Sequence, residues 1–483
     1  MHFMIFKSFA FNAVLIAFLL VPYLGAQPPD IVWTQTFGGL DRERGYSVQQ
    51  TTDGGYIVAG KTYSYGAGSS DVYLIKTDSN GDSLWTNTYG EFYLDGGYSV
   101  IQTIDGGYAI AGFLSMDACL IKTDAAGEAL WIREYNYGSY DRLYCVEPTT
   151  DGGYILTGST RLSGTNQTDI YLVKTDSCGL LEWEITLGDT LSDFGHSVQQ
   201  TTSGGYIVTG VWADNNAYHI RTFLLETDAD GNTIWIRTYG GDLFNRGYSV
   251  LQNDDGGFTI AGLQSGTGTD IFLLRTNSNG DSLWMRNYGG CDGGGSHPVS
   301  VQKTTDGGFI VVGTTNAIGV KDIYLVRTDS VGDTLWTKTI DGIDRVIGHS
   351  VQQTADGGYI VVGETANFFP LDEGDIRLIK IASETGIEID PPNNFPSVAL
   401  DIISLSPFSS SLSITYSIPE QADVSLVVYD VSGRLIENLV NTQMQSGIYS
   451  ETWRPSQNIP DGCYLIALDT CGQQVVLKCL RLN

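Results

Sequence analysis

Short runs of alternating or continuously apolar residues recur along almost the whole chain, each closed by glycine, asparagine, aspartate or serine. One stretch shows the unit. Tyr46–Gln50 is followed by Asp53-Gly54-Gly55, then by Tyr56–Gly60, a Gly/Ser-rich loop, Asp71–Thr77, a Ser-Asn-Gly turn and Leu84–Tyr89. Each run is rich in β-branched and aromatic residues and bounded by turn chemistry, so each is predicted to be a strand. The Asp-Gly and Asn-Gly pairs stand where a tight hairpin needs positive φ, which glycine adopts without a Cβ clash.

The unit repeats. Asp53-Gly54-Gly55-Tyr56 returns at Asp105, Asp151, Ser203, Asp255, Asp306 and Asp356, seven copies spaced by 52, 46, 52, 52, 51 and 50 residues. Four antiparallel strands per period, repeated radially, describe the blade of a β-propeller. The strands are termed a to d from the axis outward. A tryptophan marks strand d at Trp85, Trp131, Trp183, Trp235, Trp284 and Trp336, but the seventh unit lacks one. Trp33 lies one period before Trp85. Ile31–Phe37 is therefore predicted to complete the seventh blade and close the ring, hiding edges that would invite aggregation. The expected fold is all-β: a seven-bladed β-propeller over 30–390, a Pro-rich linker at 391–396 and a small Ig-like β-sandwich over 397–483. Strands of that sandwich are expected at Ser411–Ser417, Val424–Asp430, Ile448–Trp453, Cys463–Asp469 and Gln474–Leu482.

Charge narrows the function. The net charge of −29 removes the cationic footprint a nucleic-acid binder needs. Residues 1–26 read as a signal peptide: Lys7, an apolar stretch from Phe9 to Leu20, then small residues before cleavage near Ala26. No later stretch is long and apolar enough to cross a bilayer, so the mature protein is expected to be secreted or held at the cell surface, as a monomer. Seven cysteines without a CxxC support neither a zinc nor a redox motif. Cys463 and Cys479 flank a predicted hairpin, and either bridge across it or stay as free buried thiols.

The motif Asp78-x-x-Gly81-x-x-x-Trp85 recurs in six units. A calcium loop alternates its ligands before its glycine, and here the glycine comes too early, so no metal is expected. The motif reads instead as a hairpin turn followed by a tryptophan wedged between blades, a structural role for Trp33, Trp85, Trp131, Trp183, Trp235, Trp284 and Trp336. The a–b and c–d loops scarcely change from unit to unit, whereas b–c and d–a loops vary and emerge together on the opposite face. Variable loops on a rigid frame are where binding residues gather. The candidates are Asp41, Arg42, Asp141, Arg142, Arg246, Asp344 and Arg345 on d–a loops, with Tyr65, Trp212, His219 and Phe369 on b–c loops. Aromatic platforms beside Asp and Arg suit a glycan or a protein partner, although each aromatic alone could simply cap its blade. His196 and His349 fall at the repeat position of Tyr46, Tyr98, Tyr144 and Tyr248 and read as strand packing. No G-x-S-x-G, HExxH or phosphate loop is present. A glycosidase needs only two carboxylates, so an endoglucanase-like hydrolase is the first alternative to a non-catalytic scaffold.

The c–d hairpin from Tyr73 to Trp85 resembles the repeats of quinoprotein-like and kelch-like propellers. That resemblance makes an oxidoreductase the second alternative. Quinoprotein dehydrogenases typically have eight blades and a vicinal disulfide at the cofactor; seven units and no adjacent cysteines here give no cofactor. After the linker, Ser406-Pro407-Phe408, Ile414–Glu420, Val428–Arg434, Trp453 and Asp461–Tyr464 resemble the flagellar hook-capping-like Ig fold of C-terminal sorting domains in the bacterial type IX secretion pathway. The resemblance implies export across an outer membrane, with the secretion machinery as a partner.

Overall fold

The computed structural model describes residues 27–384, apart from 163, 166, 190, 215–218, 242–243, 266–268, 292–298, 316–320, 341–344 and 367–373. Beyond that it describes 399–402, 412–418, 421–430, 434–445, 447–456, 459–460, 462–470 and 473–481. The signal segment, the linker, Asp344 and Phe369 lie outside these residues. The chain divides into two compact units, Met1–Glu388 and Ile389–Asn483.

Every regular element among the described residues is a strand. The first unit is a β-propeller of seven four-stranded antiparallel blades. Blade one runs outward through Glu43–Gln50, Tyr56–Thr62, Asp71–Thr77 and Ser83–Tyr89. Blades five and six are joined into one sheet by the pairing of Cys291 with Thr315. In blade seven, Arg345–Gln353, Tyr359–Ala366 and Ile376–Ile381 are followed outward by Ile31–Phe37, whose Thr34 stands opposite Ile379. The strand around Trp33 is thus the outer strand of the last blade.

The innermost strands stitch each blade to the next. Ser47 Oγ accepts the Val100 amide at 3.2 Å and Gln49 Oε1 accepts the Gln102 amide at 2.5 Å. Gln50 accepts the Ala355 amide in the turn of blade seven at 2.8 Å, and its own amide donates to Gln352 Oε1. The same bonds recur at Ser99, Ser197, Gln199, Gln200, Gln252, Gln302 and Gln353. Alternation along Tyr-Ser-Val-Gln-Gln therefore sends Val48 into the core and the polar residues to the neighbouring blades.

Outside this ring of bonds, the tryptophans do sit between blades. Trp33 meets Tyr56 of blade one edge-on at 5.8 Å, Trp131 meets Tyr154 edge-on at 6.5 Å, and Trp85 and Trp183 meet Tyr108 and Tyr206 at a tilt, 5.9 and 5.7 Å away. Gly81 holds φ 80° in the c–d turn, and a Cβ there would fall 2.6 Å from the Trp33 ring. Only Trp336 is fully buried; the other six rings stay half-exposed at the rim. Arg133, Arg237 and Arg286 cover three of them, their guanidiniums 5.3–5.7 Å from the rings.

The Asp-Gly-Gly turn is fixed from beneath. Asp53 Oδ1 accepts from Thr51 Oγ1, the Gly55 amide and the buried Lys76 ammonium. Lys122, Lys174, Arg275, Arg327 and Lys380 repeat this under Asp105, Asp151, Asp255, Asp306 and Asp356. Blade four replaces both partners, with Ser203 in the turn and Glu226 on strand c. A buried cation without its carboxylate would be uncompensated, so the two positions change together.

The second unit is a β-sandwich. Ala399–Ile402, Leu412–Ile418 and Gly447–Trp453 form one sheet; Leu435–Met444, Ala422–Asp430, Gly462–Thr470 and Gln473–Arg481 form the other. Leu412, Ile414, Tyr416, Val428, Trp453, Tyr464 and Ile466 share its core. Two strands escape the sequence reading: Ala399–Ile402 and Leu435–Met444, the latter an edge strand with mostly exposed side chains. The suggested Cys463–Cys479 bridge is not made. Register pairs Cys479 with Tyr464 and Cys463 with Leu480, which turns the two thiols to opposite faces.

Two predictions follow from the turns. Asp105→Ala strands the Lys122 ammonium and lowers stability by about 1–2 kcal/mol, the low end for such a pair because the carboxylate is half-exposed. Adding Lys122→Glu to Asp105→Ser, the blade-four pair, recovers part of that loss in chemical denaturation. Burial alone would raise Asp105 and Asp151, but their lysine, threonine and amide hydrogen bonds hold both at about 2, against an ordinary 3.8. The stability they add is complete above pH 3.8 and disappears as pH falls through about 2. Thermal melts should therefore drop steeply over that window, less so for Asp105→Asn.

Candidate functional site

The seven inner strands enclose an axial cavity of 1430 Å³. A belt of rings lines it. His349, Tyr46, Tyr98, Tyr144, His196 and Tyr248 follow one another at centroid distances of 5.2, 5.0, 5.2, 5.8 and 4.8 Å. Val299 takes the sixth-blade position and interrupts the belt. The histidines do pack as strand residues, and they also face the cavity. Burial pushes His196 down to about 4, so its ring is neutral, with Nδ1 2.7 Å from the Gly247 carbonyl. Burial pushes the Tyr46 hydroxyl up to about 12.

Three residues further along each strand, Gln49, Gln199, Gln302 and Gln352 spend their carbonyls on the next blade. Blade three puts Glu147 there. It lines the cavity without such a bond among the described residues, and burial raises its carboxyl to about 7.

Around one mouth of the cavity lie the variable loops. Arg42 reaches Glu364 at 3.1 Å, and Arg44, unnoticed in the sequence reading, reaches the same carboxylate at 3.2 Å. Arg142 donates to the Tyr98 hydroxyl at 3.3 Å and lies over the Phe113 and Tyr140 rings. Arg246 lines the cavity, and Arg345 is half-buried at the start of blade seven. Asp41 and Tyr65 are exposed, with the Tyr65 hydroxyl on the Gly38 carbonyl.

Asp141 is not a surface ligand. It is fully buried and accepts the Tyr137 and Gly138 amides at 3.0 Å, pinning its own d–a loop. Glu43, Asp95 and Asp193 do the same work, and burial carries Asp193 up to about 6. Trp212 packs edge-on against Phe223 at 6.2 Å, a blade cap. His219 stands opposite Asp214 in strand register; its side chain lies outside the described residues. The candidate arginines mix two registers: Arg142 and Arg246, like Arg44, stand two residues before the belt, whereas Arg42 and Arg345 stand four before it. Aligning the units on the belt would have found Arg44. The loop face also carries Leu40, Phe92 and Tyr93, at 92, 83 and 68% exposure, none of them singled out from sequence.

No protein-family model matches the chain, and no curated protein matches it. Solved structures similar to it include a fungal AA5-family alcohol oxidase in complex with copper (TM-score 0.46, 12% identity, 94% of this chain and 100% of that one). The Neurospora crassa Pan2 WD40 domain is similar at TM-score 0.46 and 8% identity, over 74% of this chain and 96% of that one. Chaetomium thermophilum Sqt1 bound to the N-terminus of ribosomal protein L10 is similar at 0.43 and 9%, over 74% and 100%. All are remote likenesses of a propeller fold and place no residue in this cavity.

Glu147→Gln should stabilise the protein above about pH 8 by about 1–2 kcal/mol, since it removes a carboxylate that burial disfavours. Below about pH 4, where Glu147 is protonated folded and unfolded alike, the same variant should melt like the parent.

Proposed function

We propose that this protein is an exported, non-catalytic binding scaffold whose propeller engages a glycan or protein with its b–c and d–a loop face. The carrying observation is Leu40 on one d–a loop and Phe92 and Tyr93 side by side on the next: large apolar side chains left in water on loops that vary. Exposed apolar side chains grouped in this way mark an interaction surface. The other face is occupied by turns whose side chains are consumed in holding the frame. Phe92 and Tyr93 sit on the d–a loop against the b–c loop of blade one, where a Cβ on Gly68 would fall 2.4 Å from the Glu91 carbonyl. Two adjoining loops thus form one surface.

For delivery, the signal-like segment and the sorting-domain resemblance of the second unit support export through a type IX pathway to the cell surface or medium. On a glycan array the full chain should give defined spots that Phe92→Ser/Tyr93→Ser reduces by about tenfold with its melting temperature unchanged. Spots that this variant leaves untouched would remove the loop face as the working surface. In a bacterium with a type IX system, the chain ending at Glu388 should stay inside the envelope while the full chain reaches the surface or medium. Equal export of both would remove the second unit as the sorting signal.

A further inference from the structure

We infer that the cavity rim shared by blades seven, one, two and three is a site for an acidic saccharide, gripping its carboxylate or sulfate group. This rests on the loop-face reading above and narrows it to one ligand class. The first observation is a concentration of positive charge against the grain of the molecule. The chain has 26 Lys and Arg against 55 Asp and Glu, yet Arg42, Arg44, Lys61 and Arg142 converge here. Arg44 and Lys61 stand directly opposite each other across two strands, a placement that repels unless an anion lies between or beside them.

The carboxylates at hand are committed. Glu364, 3% exposed, is shared by Arg42 and Arg44, and Glu43 is spent on the Gly39 and Ser64 amides and the Thr62 hydroxyl. Asp41 points into solvent on its loop. Burial first, with Arg44 and Arg142 adding to it, pulls Lys61 below an ordinary lysine despite its bond to the Tyr63 hydroxyl. Burial would raise Tyr63, yet Lys61, Arg44 and Arg42 pull its hydroxyl down. The cluster carries more positive charge than it neutralises.

The second observation is His349. It is 7% exposed, lines the cavity, and neither ring nitrogen has a hydrogen-bond partner among the described residues; Nε2 lies 4.0 Å from Glu364 Oε1. A buried polar group left unpaired points to a missing partner. A sugar hydroxyl fits, able to donate to the imidazole and accept from elsewhere. Guanidinium forks match a carboxylate or sulfate, and the Tyr46 and Tyr98 rings and hydroxyls offer a platform beside them. An acidic peptide fits less well. The inner-strand amides at Gln50, Val100, Gln102 and Val146 are taken by Gln and Ser of the neighbouring blade, which blocks strand addition.

Calorimetric titration of the full chain tests this with four probes: an oligogalacturonate, its fully methyl-esterified neutral form, a sulfated oligosaccharide and an oligoglutamate. The two acidic saccharide arms separate carboxylate from sulfate as the gripped group. At least one should bind, the neutral ester about tenfold or more weaker than its acid, and Arg142→Gln should cost a similar factor. Arg42→Gln/Arg44→Gln/Glu364→Gln, which removes both sides of the ion pairs together, should do likewise. Should that variant fail to fold, Arg142→Gln decides, and Arg237→Gln on an outer strand serves as the unaffected control. Equal binding of acid and ester, retained affinity in the folded arginine variants, preference for oligoglutamate, or binding of no probe would each overturn the site. Saccharide binding lost in Phe92→Ser/Tyr93→Ser but kept in the arginine variants would overturn the site alone, leaving the loop-face reading standing.

Discussion

The structure depends on how the innermost strand of each blade satisfies its outward-facing amides. In a radial sheet that strand has a partner on one side only, and unpaired backbone groups beside an enclosed cavity are expensive. Here serine and glutamine side chains of the adjacent blade accept those protons, at Val100 and Gln102 and again at Val250 and Gln252. The bonds run between blades, so they hold the blades in register while the apolar wedges of Trp33, Trp85 and their equivalents fill the space behind them. Tyr89, Tyr135, Tyr239 and Tyr288 add a third tie, each hydroxyl donating to a glycine carbonyl of the following blade's c–d turn.

This arrangement divides the two faces of the propeller. Turns on one face have their aspartates drawn inward to buried lysines and arginines and their backbone amides taken by neighbouring glutamines, and little is left to bind anything else. Loops on the other face are anchored at their roots by Glu43, Asp95, Asp141 and Asp193, and between those roots they differ from blade to blade. Blade two shows how far. Its b–c loop shrinks to a turn in which Ser115 takes φ 59° and donates to Asp95, which accounts for the single repeat spacing of 46 residues.

The repeat, the propeller's strands and the placement of Trp33 were legible because each rests on local pattern: turn glycines, β-branched runs and a fixed period. Roles of the polar residues were not. Gln49 and Gln50 differ by one position and bond to opposite neighbours, a distinction that exists only once the blades are assembled. Asp141 looked like Asp41 because both precede an arginine, yet one is buried under its loop and the other is in water. The rim cluster escaped for a related reason: Arg44 and Lys61 are about 300 residues from Glu364 in sequence and meet it only because blades one and seven are neighbours. Blade four could have been decoded from sequence alone, since Ser203 and Glu226 depart together from the Asp–Lys/Arg pattern.

Residue-resolved amide hydrogen exchange measures this stitching directly. The amides of Gln102 and Gln252 should be among the slowest in the propeller while those of Phe92 and Tyr93 exchange freely, and Gln49→Ala should speed Gln102 selectively. A Gln102 amide indifferent to that substitution, or loop amides as protected as the inner strands, would contradict the account.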